Sequence, residues 1–173
     1  MTIGFKAGSV KRIKIFGILT ALLLAGFAHA QQVGQVTNLP IPRFVSMKSG
    51  SANVRRGPSL SNRIDWVLRH RGTPLIVTAE YGEWFRVEDV DGEGGWVHTK
   101  LISTRRTVLV VESRLPLRET PSTSAHKLAR LEAGVLPRLN TCQPEWCEVS
   151  IEGLTGWLPK SGIWGVLESE IVN

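Results

Sequence analysis

Long helical periodicity is scarce in this sequence, and so are most of the residues that carry covalent or metal chemistry. Only two of its 173 residues are cysteine, Cys142 and Cys147, and tyrosine occurs once. The four histidines, His29, His70, His98 and His126, are isolated, with no His-x-x-x-His or Cys/His spacing of the kind that holds zinc. No Gly-x-Ser-x-Gly elbow and no phosphate loop occurs. A Cys–His hydrolase needs a thiolate beside an imidazole. His126 falls on a loop with no reason to meet Cys147. The expectation is therefore a protein with no catalytic residues, no metal and no cofactor.

What is present begins with the N-terminus. Lys6, Lys11, Arg12 and Lys14 precede an apolar run from Ile15 to Phe27, followed by Ala28-His29-Ala30. That order reads as a secretory signal peptide over residues 1–30, cleaved after Ala30. The run is short for a bilayer, which needs about 20 apolar residues. No stable membrane span is expected after cleavage. Residues 1–30 hold four of the 21 basic residues and none of the 15 acids, so the formal charge falls from +6 to +2 without them. The basic balance is mainly a targeting feature and does not point to nucleic acid.

Residues 31–173 show short apolar runs broken by Gly, Pro, Asn and Ser, which predicts an all-β protein. They also repeat. SANVRRGPS (51–59) answers to RLPLRETPS (114–122), and LRHRGTPLIV (68–77) to RLEAGVLPRL (130–139). GEWFRVE (82–88) answers to PEWCEVS (144–150), and GGWVHTKLI (94–102) to TGWLPKSGI (155–163). A repeat of this length must be recognised before the fold is read. Strands are expected near 44–47, 64–68, 75–79, 84–88 and 95–97, and again near 107–111, 127–131, 136–140, 146–151 and 156–158. The join at 103–106 is too short for a flexible tether, so the two copies should pack or be held at a fixed angle.

NVRRGPS, a Gly-led strand, and EWFRVEDVDGEGGWV followed by LI resemble the bacterial SH3 domain. The likeness is close over 43–104 and looser over 107–165. It implies two tandem small SH3-like β-barrels, at 43–104 and 105–168. Around them would lie an N-terminal extension at 31–42 and a C-terminal tail at 169–173. It also implies peptidoglycan, a peptide or another envelope protein as ligand.

Strand alternation assigns Phe85 and Val87 to the core, and Trp84 and Trp146 to the other face. There a Trp can stack a ligand, cap one barrel end or fill the interface between copies. The hairpin after Val149 is one residue shorter than its counterpart, so a bulge is expected at Gly94–Gly95. Arg55, Arg56, Arg63, Arg69, His70 and Arg71 crowd around Trp66. They read either as an anion-binding patch or as a solvated rim paired with Asp65, Glu80 and Glu83. Trp164 is expected to pack against the first copy. The candidate ligand contacts are Trp66, Arg69, His70, Arg71, Tyr81 and Trp84.

Cys142 and Cys147 flank a four-residue loop between two strands. Redox sites usually show a shorter Cys-x-x-Cys spacing, and zinc needs two further ligands. An exported chain with an even cysteine count usually pairs them. Facing hairpin positions are close enough to be bridged. A disulfide is expected. The functional expectation is a periplasmic or secreted non-enzymatic binding module. The alternative is a scaffold or accessory subunit that binds another periplasmic protein.

Overall fold

The computed structural model describes residues 32–173, together with Met1 and Gly4. The signal-peptide expectation lies outside the described residues. Residues 31–173 form one compact unit. Among the described residues no helix is long and apolar enough to cross a membrane.

The first copy is built from β1 (Arg43–Met47), β2 (Ser51–Arg55), β3 (Ile64–Arg69), β4 (Pro74–Tyr81), β5 (Trp84–Glu88), β6 (Gly94–His98) and β7 (Ile102–Ser103). The second contains β8 (Leu109–Val110), β9 (Leu115–Arg118), β10 (Lys127–Leu131), β11 (Arg138–Cys142), β12 (Trp146–Ile151), β13 (Leu154–Pro159) and β14 (Ile163–Trp164). A single 3-10 turn leads out of β6 and another out of β13, at Thr99–Leu101 and Lys160–Gly162. The first sheet runs β3-β2-β6-β5-β4-β1-β7, and its ladder ends without closing. The second runs β10-β9-β13-β12-β11, with β14-β8 paired beside it.

Alternation builds each core. In β2 the inward residues are Ala52 and Val54, and in β5 they are Phe85 and Val87. With Val45, Met47, Leu68, Leu75, Val77 and Val97 they form the first core. The second core takes Val108, Val110, Leu115, Leu117, Leu139, Val149 and Leu158 at the matching places. β2 and β9 are strands beyond those expected, and they fall on the SANVR and LPLR stretches of the repeat.

The irregularities are repeated as well. β4 shifts register between Val77 and Ala79, and β11 between Leu139 and Thr141. β3 skips Asp65 opposite Val54–Arg55, and β10 skips Leu128 opposite Leu117–Arg118. The bulge expected at Gly94–Gly95 is absent. Glu88 pairs with Gly94 and Val87 with Gly95 in unbroken register. The extra residue is absorbed in the turn 89–93, where Asp89 Oδ1 accepts the N–H groups of Asp91 and Glu93 at 3.0 Å. A polar turn takes up a residue without disturbing the ladder, whereas a bulge would have cost ladder hydrogen bonds. The glycine at 95 has another reason. A Cβ there would lie 2.8 Å from the Arg55 carbonyl oxygen, and one on its twin Gly156 would lie 2.7 Å from that of Arg118.

The Arg-x-x-Pro-Ser motif shapes one loop in each copy. Arg55 donates to the carbonyls of Leu60 and Asn62, and Arg118 to that of Ala125. Ser59 and Ser61 share a hydroxyl contact at 2.9 Å, as Ser122 and Ser124 do at 3.0 Å.

The copies pack directly. Trp164 sets its ring edge-on to Phe44, with centroids 4.9 Å apart, which meets the expectation for Trp164. The Thr107 N–H donates to Ser46 Oγ at 3.0 Å, and the Thr107 hydroxyl donates to the Gly72 carbonyl.

Candidate functional site

The corner between β12 and β13 holds the groove with the most apolar floor. Register pairs Trp146 with Pro159 and Cys147 with Leu158. Trp146 is half-buried, because it starts its strand beside a loop and points off the core face. Pro144, Pro159 and Val166 complete an apolar surface around it, and the cavity measures about 520 Å³. Glu145 and Glu168 stand at its rim, exposed. Lys160 also lines it, but its ammonium donates to the carbonyls of Glu168 and Glu170. The groove thus offers an indole face, two prolines and free carboxylates.

The neighbouring disulfide stiffens this corner. Cys142 and Cys147 face each other across β11 and β12, with Cα atoms 4.1 Å apart, and are bonded as expected. No described cysteine is free. The backbone of Cys142 exchanges two hydrogen bonds with Val172, so the C-terminal segment that supplies Val166 and Glu168 is tied to the same strand.

The matching corner of the first copy is closed. Trp84 pairs with His98 where Trp146 pairs with Pro159. The imidazole lies 5.1 Å from the indole, tilted by 56°, and Trp84 is only 8% exposed. Trp84 is buried, although it is not one of the residues of the first core cluster. Alternation could not show what covers that face.

The remaining candidates separate into two groups. Tyr81 is 62% exposed and pairs with Trp84 at the end of β4. Trp66 packs partly buried against the first core. Arg69, His70 and Arg71 lie exposed where β3 ends. His70 and Arg71 line a second groove with Leu109 and Leu136 of the other copy. None of the grooves found among the described residues is lined by Trp66, Arg69, Tyr81 or Trp84. The arginine crowd is dispersed too. Arg55 shapes a loop, and Arg56 and Arg63 both pair with Asp65. The hydrogen bond from Arg63 is the largest influence lowering the Asp65 pKa.

Two carboxylates form internal locks: Glu80, which meets Arg43 rather than the arginines around Trp66, and the partly buried Glu170. The side chain of Glu80 is fully buried and meets Arg43 at 2.6 Å. It also accepts the N–H groups of Val36 and Thr37 and the Thr37 hydroxyl. Burial pushes its pKa up, but Thr37, Val36 and Arg43 together hold it below its ordinary value. Glu170 does the same for the other end. It accepts from Arg106 and from the N–H of Leu167. Burial is again outweighed, chiefly by Arg106, and its pKa is lowered. Arg43, at the start of β1, and Arg106, shortly before β8, occupy equivalent places opposite Val77 and Leu139, so each copy clamps one terminal segment. Among the described residues no cluster of three His, Cys, Asp or Glu side chains is placed to hold a metal ion.

Two short, bent all-β units with matching bulges, matching Arg-shaped loops and matching 3-10 turns define a tandem of SH3-type domains. Residues 48–104 and 111–165 each match the bacterial SH3 domain, and the chain belongs to that family. Over 117 residues it is 27% identical to YrvJ of Bacillus subtilis (strain 168), a protein named for N-acetylmuramoyl-L-alanine amidase activity. That alignment covers 61% of this chain and 22% of the relative, so the chain spans about a fifth of the relative's length. Two solved structures, NlpC2 and NlpC1 from Trichomonas vaginalis, are similar at 10% and 9% identity. They match 70% and 76% of this chain, and 47% and 48% of their own chains. Their TM-scores of 0.34 and 0.33 are too low to carry an argument.

Proposed function

We propose that this protein is an exported, non-enzymatic binding module of the cell envelope that takes peptidoglycan or a peptide in the Trp146 groove. The open indole face between Pro144 and Pro159 is the observation that carries the reading. Its apolar floor suits the flat or apolar side of a ligand. Glu145 and Glu168 at the rim suit amide or ammonium donors. The family supports a binding role, and the amidase relative supports a wall ligand in the periplasm or outside the cell. In the first copy, Tyr81 and Trp84 form the equivalent corner, which His98 must leave before an indole face is offered. Trp66, Arg69, His70 and Arg71 belong to other surfaces and would contact a ligand only if it extended past that corner.

Sedimentation with purified peptidoglycan tests this. Wild type should co-sediment, and Trp146→Ala should lose most of the bound fraction while keeping its fold. Equal retention of both, or none of either, would remove the wall-binding reading. A scaffold role, by contrast, would show as a specific crosslink to one envelope protein that Trp146→Ala leaves intact.

A further inference from the structure

A different groove runs between the two copies, and its chemistry is opposite. Lys48, Arg71, Arg105 and Arg138 line it, and no acidic residue does. Its volume is about 520 Å³, several times that of a single small anion. All four cations are exposed, and none makes an ion pair among the described residues. Arg43, Arg56, Arg63 and Arg106 all have carboxylate partners. Four unpaired cations held around one concavity repel one another, and an anion would relieve that repulsion.

The walls come from both copies, and they are held in place. Thr107 and Ser46 lock the floor through their hydroxyls, 2.8 Å apart. Ser46 itself is buried at 1% exposure. β7 closes one side, and it ends the first sheet with β1 as its single neighbour. Ser103 lines the groove, and its pairing with Ser46 turns its backbone groups toward β1. On the far side of Arg71 lies the smaller groove with Leu109 and Leu136.

We infer that this inter-copy groove binds an acidic peptide segment. A peptide satisfies two features at once. Its carboxylates answer the guanidinium forks, and one apolar side chain can reach Leu109 and Leu136. An inorganic polyanion would answer only the charges. The site is independent of the Trp146 groove, which uses other residues of the second copy and carries carboxylates at its rim.

The test uses the purified chain and a synthetic peptide, Glu-Glu-Leu-Glu-Glu, followed by calorimetric titration at low salt. Binding should weaken steadily as salt is raised, and the Gln-for-Glu version of the peptide should not bind. The double variant Arg71→Glu/Arg138→Glu, at two exposed positions, should lose at least about tenfold in affinity with an unchanged melting temperature. Trp146→Ala should bind the peptide like wild type, so failure of the wall-binding reading leaves this result standing. No binding of the peptide at low salt, or equal binding by the charge-reversed variant, would overturn the inference. Tighter binding of a polyphosphate of equal charge would overturn it too, since the leucines would then be idle.

Discussion

Glu80 shows how one side chain can govern a segment remote in sequence. It gathers Val36, Thr37 and Arg43 around one carboxylate, and Gly34 sits so close that a Cβ would fall 2.3 Å from that carboxylate. Its folded pKa lies below the ordinary 4.5, so the unfolded chain binds more protons as acid is added. The stabilisation is complete above about pH 5 and is lost as pH falls through the lowered folded value. Glu170 works in the same direction. Glu80→Gln should cost about 3 kcal/mol at pH 7, because it strips a buried guanidinium of its partner. It should also flatten the acid limb of the stability curve, measured by urea unfolding at pH 3 to 7. An unchanged acid limb would show that the carboxylate contributes little. Nothing in AEY at residues 79–81 announces this role. The carboxylate's partners lie 43 and 44 residues away, and local pattern carries no trace of them.

At the scale of elements, the two hairpins that start at Trp84 and Trp146 compare a natural pair. Alternation assigns Phe85 and Val87 inward, and both are core, as are Cys147 and Val149 at the matching places. The positions facing the other way were legible in direction but not in cover. His98 lies over one indole, and Pro159 leaves the other partly open. That difference comes from a partner strand and a C-terminal segment, not from the strand's own sequence. β2 escaped notice because Ser51, Asn53 and Arg55 dilute its two apolar residues. The disulfide was legible from count and spacing. It closes a short ring, for which chain entropy allows about 2 kcal/mol. Replacing both cysteines by serine should lower stability by about that amount in denaturant titration. It should also weaken the Trp146 groove, since the C-terminal wall is hydrogen-bonded to Cys142. A loss of stability without any change in wall sedimentation would separate the clip from the groove.

Across residues 31–173 the two copies are joined by side chains as well as by chain. Phe44 meets Trp164, Thr107 meets Ser46 and Gly72, and the Arg106 guanidinium lies 5.9 Å from the Phe44 ring centre. Small domains of this size are marginal alone, and a shared contact lets each support the other. Thermal unfolding should therefore be a single calorimetric transition, with equal calorimetric and van't Hoff enthalpies. Phe44→Ala should cost about 3–5 kcal/mol and separate the transition into two. Two transitions in the wild type would mean that the contact does not couple the copies.

The paired arginine clamps also decide how the protein would bear a pull. Tension from the N-terminal side would reach the Glu80 lock before it reached β1, and tension from the C-terminal side would reach the Val172–Cys142 bonds before β11. Opening the first lock frees residues 32–42, a slack of roughly 35 Å when extended. Opening the second lock passes the load to Glu170, which Arg106 holds. Both ends thus yield first at a lock of side-chain and backbone bonds, before a core strand is loaded.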